Sequence, residues 1–184
     1  VALVDAQLSF RAMTREDFTL LSEWLATPHV SNWWREEFDL AAIEARYGPV
    51  IDGRDPTECF IVERDGHPVG FIQRYLFSDD PDRQRILAPA GTPDDAAGID
   101  YFVGSPSLIG QGLGTQIIDR FVEDMWTRYP AIAAVVVDVS VDNRPSWRAL
   151  EKAGFSRAWT GALDSDDPSD AGLNHVYLCR RDQG

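Results

Sequence analysis

Residues 133–139 read Ala-Ala-Val-Val-Val-Asp-Val, and this nearly unbroken apolar run limits the folds open to the chain. A strand with one wet face alternates apolar and polar residues. A continuous run means cover on both faces, as for a central strand between helical layers. The flanking sequence supplies that cover. Gly110–Gly114 introduces a helix whose Ile117, Ile118, Phe121, Val122 and Met125 form one apolar stripe, closed by Pro130. Asn143–Ala153 predicts a short helix stopped by Gly154.

Leu8–Met13 reads as a short strand, followed by a helix start at Thr14 with Asp17 in the first turn. Phe18, Leu21, Trp24 and Leu25 recur at helical spacing as far as Thr27-Pro28. A second helical region is expected to open at Asn32-Trp33-Trp34, with Leu40, Ile43 and Tyr47 on one face before Gly48-Pro49. Cys59–Glu63 and Val69–Leu76 flank Asp65-Gly66, a strong hairpin signal. Ser78–Ala97 is rich in Asp, Pro and Gly and predicts a long loop, with strand sequence resuming at Gly98–Gly104. Phe155–Leu163 and Leu173–Cys179 read as closing strands. This order predicts one α/β (α+β) domain over residues 1–184, with a mixed sheet and helices.

Charge narrows the partners. Thirty acidic residues against 17 basic ones give a formal net charge of −13. Such a surface repels phosphate backbones, so nucleic acid is not expected, and it attracts cationic small molecules. The longest apolar stretch, Ala131–Val137, falls short of the roughly 18 residues of a membrane span, and export is not expected. Cys59 and Cys179 sit in apolar, strand-like runs and read as reduced thiols of a cytoplasmic protein. His29, His67 and His175 lack metal-ligand spacing, so no metal is expected.

Three features carry chemistry. Ile109-Gly110-Gln111-Gly112-Leu113-Gly114-Thr115 follows a strand and opens a helix. Close glycines let backbone N–H groups converge on an anion at the positive end of a helix. From the spacing alone, the turn serves equally as a pyrophosphate cradle or as a tight connection with nothing bound. It sits in the second half of the chain, and no Gly-Lys-Ser/Thr follows, so neither a dinucleotide fingerprint nor a Walker motif is read. Asp100 and Asp138 each interrupt an apolar strand, where a carboxylate is costly unless paired or functional. The plainer alternative for each is a solvent-facing place on a strand end.

The loop from Ile109 to Thr115, then Asp138, Asn143 and Glu151-Lys152-Ala153-Gly154-Phe155, resemble the GCN5-related N-acetyltransferase (GNAT) superfamily in order and spacing. Within it, Glu23-Trp24-Leu25, Pro28-His29-Val30, Trp33-Trp34, the phrase from Gly66 to Gln73, and Gly98-Ile99-Asp100 are similar to aminoglycoside 6′-N-acetyltransferases. The likeness runs from Leu8 to Phe155. It implies a splayed mixed sheet with helices on both faces, and acetyl-coenzyme A as co-substrate. By resemblance the coenzyme would lie on Phe102, Val103, Ile109, Gly110, Gln111, Gly112, Leu113, Gly114, Thr115 and Asn143. The acceptor amine would meet Trp33, Asp100, Asp138, Asp166 and Asp167, with Asp100 catalytic as general base or as the group that orients a water.

Two residues depart from the family pattern. Ile109 stands where an Arg or Gln is usual, and Leu150 stands where many members carry a Tyr that protonates the leaving thiolate. Trp34 reads equally as a core plug beside Trp24. The acids Asp164, Asp166, Asp167 and Asp170 read either as acceptor contacts or as a solvated loop. The reading that follows is acetyl transfer to an aminoglycoside amine, most of all the 6′-amine, by direct attack. Its alternatives are another aminoglycoside amine such as 2′, a polyamine or siderophore precursor, or a non-catalytic sensor of acetyl-coenzyme A or aminoglycoside. A nucleotide-dependent oxidoreductase is the more distant alternative. Monomer and homodimer are both left open.

Overall fold

In the computed structural model, which describes residues 7–181, the chain opens with β1 (Leu8–Ala12), α1 (Phe18–Leu25), α2 (Pro28–Ser31) and α3 (Leu40–Ile51). Then come β2 (Glu58–Arg64), β3 (His67–Leu76), α4 (Pro81–Leu87), β4 (Ala96–Val103) and α5 (Leu113–Arg128). The chain closes with β5 (Ala134–Ser140), α6 (Arg144–Lys152), β6 (Ser156–Ala162) and β7 (Leu173–Arg180). The strands share one sheet in the order β1-β2-β3-β4-β5-β7-β6. All neighbours are antiparallel except β4 and β5, which run parallel.

The parallel pair is short. It holds Ala96 opposite Ala134, Ala97 opposite Val135 and Gly98 opposite Val136, and goes no further. Beyond that point β4 stays paired with β3 out to Val103, and β5 stays paired with β7 out to Ser140. The two strands therefore splay, and neither has a strand partner on its inner edge over the last few residues; at the end of β4 the Val103 carbonyl meets His29 Nε2 at 2.9 Å.

Helices cover both faces. On one face α5 and α6 pack Ile117, Ile118, Phe121 and Leu150 against Ile72, Ile99, Val135 and Val137. On the other, α1 and α3 bring Leu21, Leu25, Ile43 and Tyr47 onto Ile61, Phe71 and Phe102. Leu87 of α4 covers the far half, with Phe77, Val136, Val176 and Leu178. Each fully buried side chain of this kind contributes about 1.5–3 kcal/mol. Arg74 of β3 locks α5 in place: its Nε lies 2.7 Å from Glu58 and its Nη1 lies 2.6 Å from Asp124. The same guanidinium lies against Phe60, Phe121 and Tyr129, which shield it. The hairpin at Asp65-Gly66 has φ of 53° and 78°, the left-handed pair that a two-residue turn between twisted strands requires.

Three expectations need correction. Ser78–Ala97 is not a loop: it holds α4, a 3-10 turn at Ala88–Ala90 and the first residues of β4. A seven-residue helix that buries only Leu87 shows no periodicity, and α4 stands on its cap instead. The Asp80 carboxylate accepts the Arg83 N–H at 2.9 Å, and Pro81 occupies the first turn. The second helical region does not open at Asn32 but at Asp39, whose carboxylate accepts from Ala41 and Ala42. Leu40 is consequently exposed rather than on the buried face. Finally, α3 runs through Gly48-Pro49 to Ile51, because a proline in the last turn removes only one helical hydrogen bond.

Gly98 sits at the fork, and a Cβ there would lie 2.2 Å from the Tyr75 ring on the neighbouring strand. Tyr75 is itself stacked on Phe77 at 6.3 Å, so the ring has little room to retreat. Gly98→Ala is expected to lower stability by about 1–3 kcal/mol through overpacking. Urea unfolding checks this; an unchanged midpoint would mean that the ring swings aside freely.

Candidate active site

Asp100 and Asp138 each lie two residues beyond the last paired position of β4 and β5. Residues two apart on a strand share a face, so both carboxylates point to the side covered by α1–α4. They line one cavity of about 360 Å³. Seven carboxylates, from Glu36, Asp55, Asp80, Asp100, Asp138, Asp167 and Asp170, face it against the two guanidinium groups of Arg46 and Arg83.

Cross-strand register sets the surroundings of Asp100. Cys59, Gln73 and Asp100 lie opposite one another on β2, β3 and β4. The Gln73 amide donates to Asp100 Oδ2 at 2.8 Å, and the Cys59 thiol donates to Gln73 Oε1 at 3.6 Å. Burial raises the pKa of Asp100, while the charge of Arg83 and the Gln73 hydrogen bond pull it back. Burial also pushes the Cys59 thiol up, which leaves it a poor nucleophile.

Asp138 is held by Arg83, whose Nη2 donates to it at 2.5 Å while Nη1 donates to Asp170 at 2.7 Å. Burial raises Asp138, and Arg83 opposes that rise. Glu36, on the irregular segment before α3, receives Arg46 at 2.8 Å and the Tyr47 hydroxyl at 3.1 Å. Its pKa is raised, mainly by burial.

A second cleft of about 380 Å³ lies on the other side of the fork. Tyr101, Phe102 and Val103 form one wall, and Leu108, Ile109, Gly110 and Gly112–Thr115 form the floor. Gly110 and Gly112 have φ of 78° and 80°, and Gly112 caps α5. A Cβ at either would meet nothing within 4 Å, so the requirement there is conformational and the space above them is open. Helix geometry leaves the N–H groups of Leu113, Gly114 and Thr115 without intrahelical acceptors at the positive end of a 16-residue helix. Arg148 and Lys152 of α6 line the same cleft and add two cations. An elongated polyanion with an apolar portion fits this surface.

Trp33, Trp34, Tyr101, Asn143 and Ser146 line both cavities, so the two meet there. The Tyr101 and Ser146 hydroxyls hydrogen-bond at 2.9 Å, and the Asn143 side chain accepts the Ser146 N–H at 3.4 Å as the cap of α6. Leu150 is fully buried in the core, so no hydroxyl replaces the absent tyrosine at its position.

The expected site residues divide accordingly. Trp33, Asp100, Asp138 and Asp167 face the acidic cavity. Phe102, Val103, Ile109, Gly110, Gly112, Leu113, Gly114, Thr115 and Asn143 face the second cleft. Asp166 lies outside the cavity lining, and the Gln111 amide turns back to donate to Ser107 O at 2.7 Å. Asp164 pairs outward with Arg85 at 2.7 Å. Trp34 packs as a core residue, its ring meeting Phe71 and Phe102 edge-on at 5.6 and 5.0 Å, and it also borders both cavities. Glu36, Arg46, Arg83, Tyr101, Arg148 and Lys152 were not expected. Arg83 lay in a segment read as loop, Lys152 stood inside the family phrase Glu151–Phe155 without a role of its own, and the other four carried no signal beyond ordinary polar or aromatic residues. Among the described residues no cluster of His, Cys, Asp or Glu is placed to hold a metal, and no helix is long and apolar enough to cross a membrane.

The family described as acetyltransferase (GNAT) domain matches residues 13–163. Aminoglycoside N(6')-acetyltransferases type 1 of Klebsiella pneumoniae and Serratia marcescens are each 30% identical over 156 residues, 83% of this chain and 76% of theirs. The crystal structure of aminoglycoside acetyltransferase AAC(6')-Ib in complex with coenzyme A superposes with a TM-score of 0.81 at 28% identity, covering 95% of each chain. The same enzyme in complex with coenzyme A and kanamycin superposes with a TM-score of 0.80 at 28% identity, again over 95% of each.

Burial places the Asp100 titration above the ordinary aspartate value of about 3.9. Gln73→Leu removes a donor to the charged form and is expected to raise it further. A side-chain carboxyl 13C titration checks both; a midpoint that stays put or falls in the variant would sink the hydrogen bond's role.

Proposed function

We propose that this chain, which belongs to the acetyltransferase (GNAT) domain family, transfers an acetyl group from acetyl-coenzyme A to the 6′-amine of an aminoglycoside. One observation carries the reading: a cleft built for an elongated anion meets an acidic cavity at the point where β4 and β5 part. Acetyl-coenzyme A supplies the activated acyl group. The chain's part is to hold both molecules and to move a proton.

On the coenzyme side, the N–H groups at the start of α5 receive the pyrophosphate, with Arg148 and Lys152 adding charge. The inner edge of β4, without a strand neighbour beyond Gly98, offers backbone groups to the amides of the pantetheine arm short of Val103, whose carbonyl meets His29 Nε2 at 2.9 Å. Ile109 supplies apolar surface where an Arg or Gln side chain is usual, so phosphate contact there falls to the backbone. On the acceptor side, the acidic cavity draws in a polycation. An amine attacks only after losing a proton, and Asp100 takes it, directly or through a water. A carboxylate whose pKa is raised by burial is a stronger base than a free aspartate. The departing thiolate needs no obligatory acid, since a free thiol has a pKa of about 8.5. Tyr101 and Ser146 are the hydroxyl-bearing side chains at the junction.

The 30% identical relatives are 6′-acetyltransferases by name, which supports the 6′ position. The cytoplasmic setting expected from the cysteines belongs to the same proposal.

Thiol release from acetyl-coenzyme A tests the proposal against 6′-amino and 6′-hydroxyl aminoglycosides, spermidine and hydroxylysine. Turnover confined to the 6′-amino compounds is expected, and equal turnover with the 6′-hydroxyl member would remove the 6′ assignment. Asp100→Asn is expected to cut kcat at least 100-fold with little change in acetyl-coenzyme A affinity, a loss of about 2.7 kcal/mol in barrier lowering. In the unaltered enzyme the rate should fall as pH drops through the Asp100 pKa, because the protonated carboxyl accepts nothing. An unchanged rate in the variant would take Asp100 out of the mechanism. Gly112→Val forces a β-branched residue to φ 80° and puts a side chain into the cradle. Calorimetry should show coenzyme affinity reduced tenfold or more in folded protein, and retained affinity would refute the cradle.

A further inference from the structure

Arg83 enters the acidic cavity from α4, and its side chain is only 17% exposed. Its two partners come from distant parts of the chain: Asp138 from β5 at 2.5 Å, and Asp170 from the 3-10 turn at Pro168–Asp170 at 2.7 Å. Both carboxylates are themselves nearly buried, at 7% and 8% exposure. Asp80 anchors the helix end that carries Arg83, and Leu87 fixes the other end in the core, so the guanidinium is held rather than trailing. Arg46, the other cation of the cavity, differs: its side chain is 47% exposed and its ion-pair partner is Glu36.

Two buried carboxylates converging on one cation make a place suited to an ammonium group of a polyamine sugar. Here the fold's own guanidinium is already in it. We infer that Arg83 is a specificity-determining residue: it fills the ammonium place formed by Asp138 and Asp170, so an acceptor must bring a hydroxyl rather than an amine to that position. The reason is electrostatic. A second cation beside a fixed guanidinium is repelled in a partly dry cavity, whereas a hydroxyl accepts a hydrogen bond from a guanidinium N–H. The reacting amine goes instead to Asp100 on the other strand, which Gln73 holds and Arg83 reaches only through its field. This rests on the aminoglycoside reading above and narrows it to acceptors with a neutral group facing Arg83.

The test uses matched pairs of 6′-amino aminoglycosides that differ by one hydroxyl or amine, such as kanamycin A and kanamycin B at C2′. In the unaltered enzyme, kcat/KM for thiol release should favour the hydroxyl member of at least one pair tenfold or more. Arg83→Met, which removes the charge but keeps the length, should move that ratio at least tenfold toward the amine member. Arg83→Lys should keep the original ranking. Equal use of both members in every pair by the unaltered enzyme, or an unmoved ratio in Arg83→Met, overturns the inference.

A second measurement needs no turnover. Millimolar ethylguanidinium at constant ionic strength should raise the Tm of Arg83→Ala by several degrees and leave the unaltered protein's Tm in place. Equal responses would show that Asp138 and Asp170 do not form a cation place. If the unaltered protein releases no thiol with any aminoglycoside, the aminoglycoside reading fails, and the Tm comparison still decides whether Arg83 fills such a place.

Discussion

The parting of β4 and β5 after Gly98 and Val136 is the constraint on which the site depends. Backbone N–H and C=O groups must be paired somewhere, and each strand keeps its outer neighbour, β3 or β7, past the fork. Only the two inner edges lose their partners. A sheet that opens in this way stays anchored on both sides, so the gap is a fixed feature of the fold. One side of it receives the start of α5, and the other receives the carboxylates of Asp100 and Asp138. The two cavities meet where Trp33, Tyr101 and Ser146 line both.

The gap is useful because its two sides carry opposite charge. The start of α5 with Arg148 and Lys152 makes a positive floor, while seven carboxylates make the acceptor side negative. Gathering so many acids around one cavity is costly, and the fold offsets the cost locally. Arg83 spans Asp138 and Asp170, Arg46 meets Glu36, and Gln73 meets Asp100. Of these four acids, Asp100 alone is met by a neutral amide rather than a guanidinium. That leaves it the least neutralised of them and suits it to accept a proton. Farther away, the shielded guanidinium of Arg74 fixes α5 to β3 and so holds the positive floor against the fork.

The scaffold was legible wherever a local rule was strong. The run at 133–139 gave β5, the stripe from Ile117 to Met125 gave α5, and Asp65-Gly66 gave the β2-β3 turn. The Gly110–Gly114 turn was legible because left-handed φ at two positions demands glycine. Ser78–Ala97 was misread because α4 rests on one cap and one buried leucine, leaving no period to see. Asn32 is not a helix start, because the helix that buries Ile43 and Tyr47 is capped only at Asp39, after Trp33 and Trp34. They are instead an irregular segment that delivers Glu36 and two indoles to the cavity.

By itself the sequence determined the layers, the central strand, the glycine turn and the presence of two acids inside apolar strands, all properties of residues close along the chain. Tertiary structure alone decided what those acids meet. Asp138 lies 55 residues from Arg83 and 32 from Asp170 in sequence, and Asp100 lies 27 from Gln73. Register across the sheet and the docking of α4 bring them within hydrogen-bond reach. Ion pairing depends on distance in space, and no pattern of neighbours along the chain encodes it.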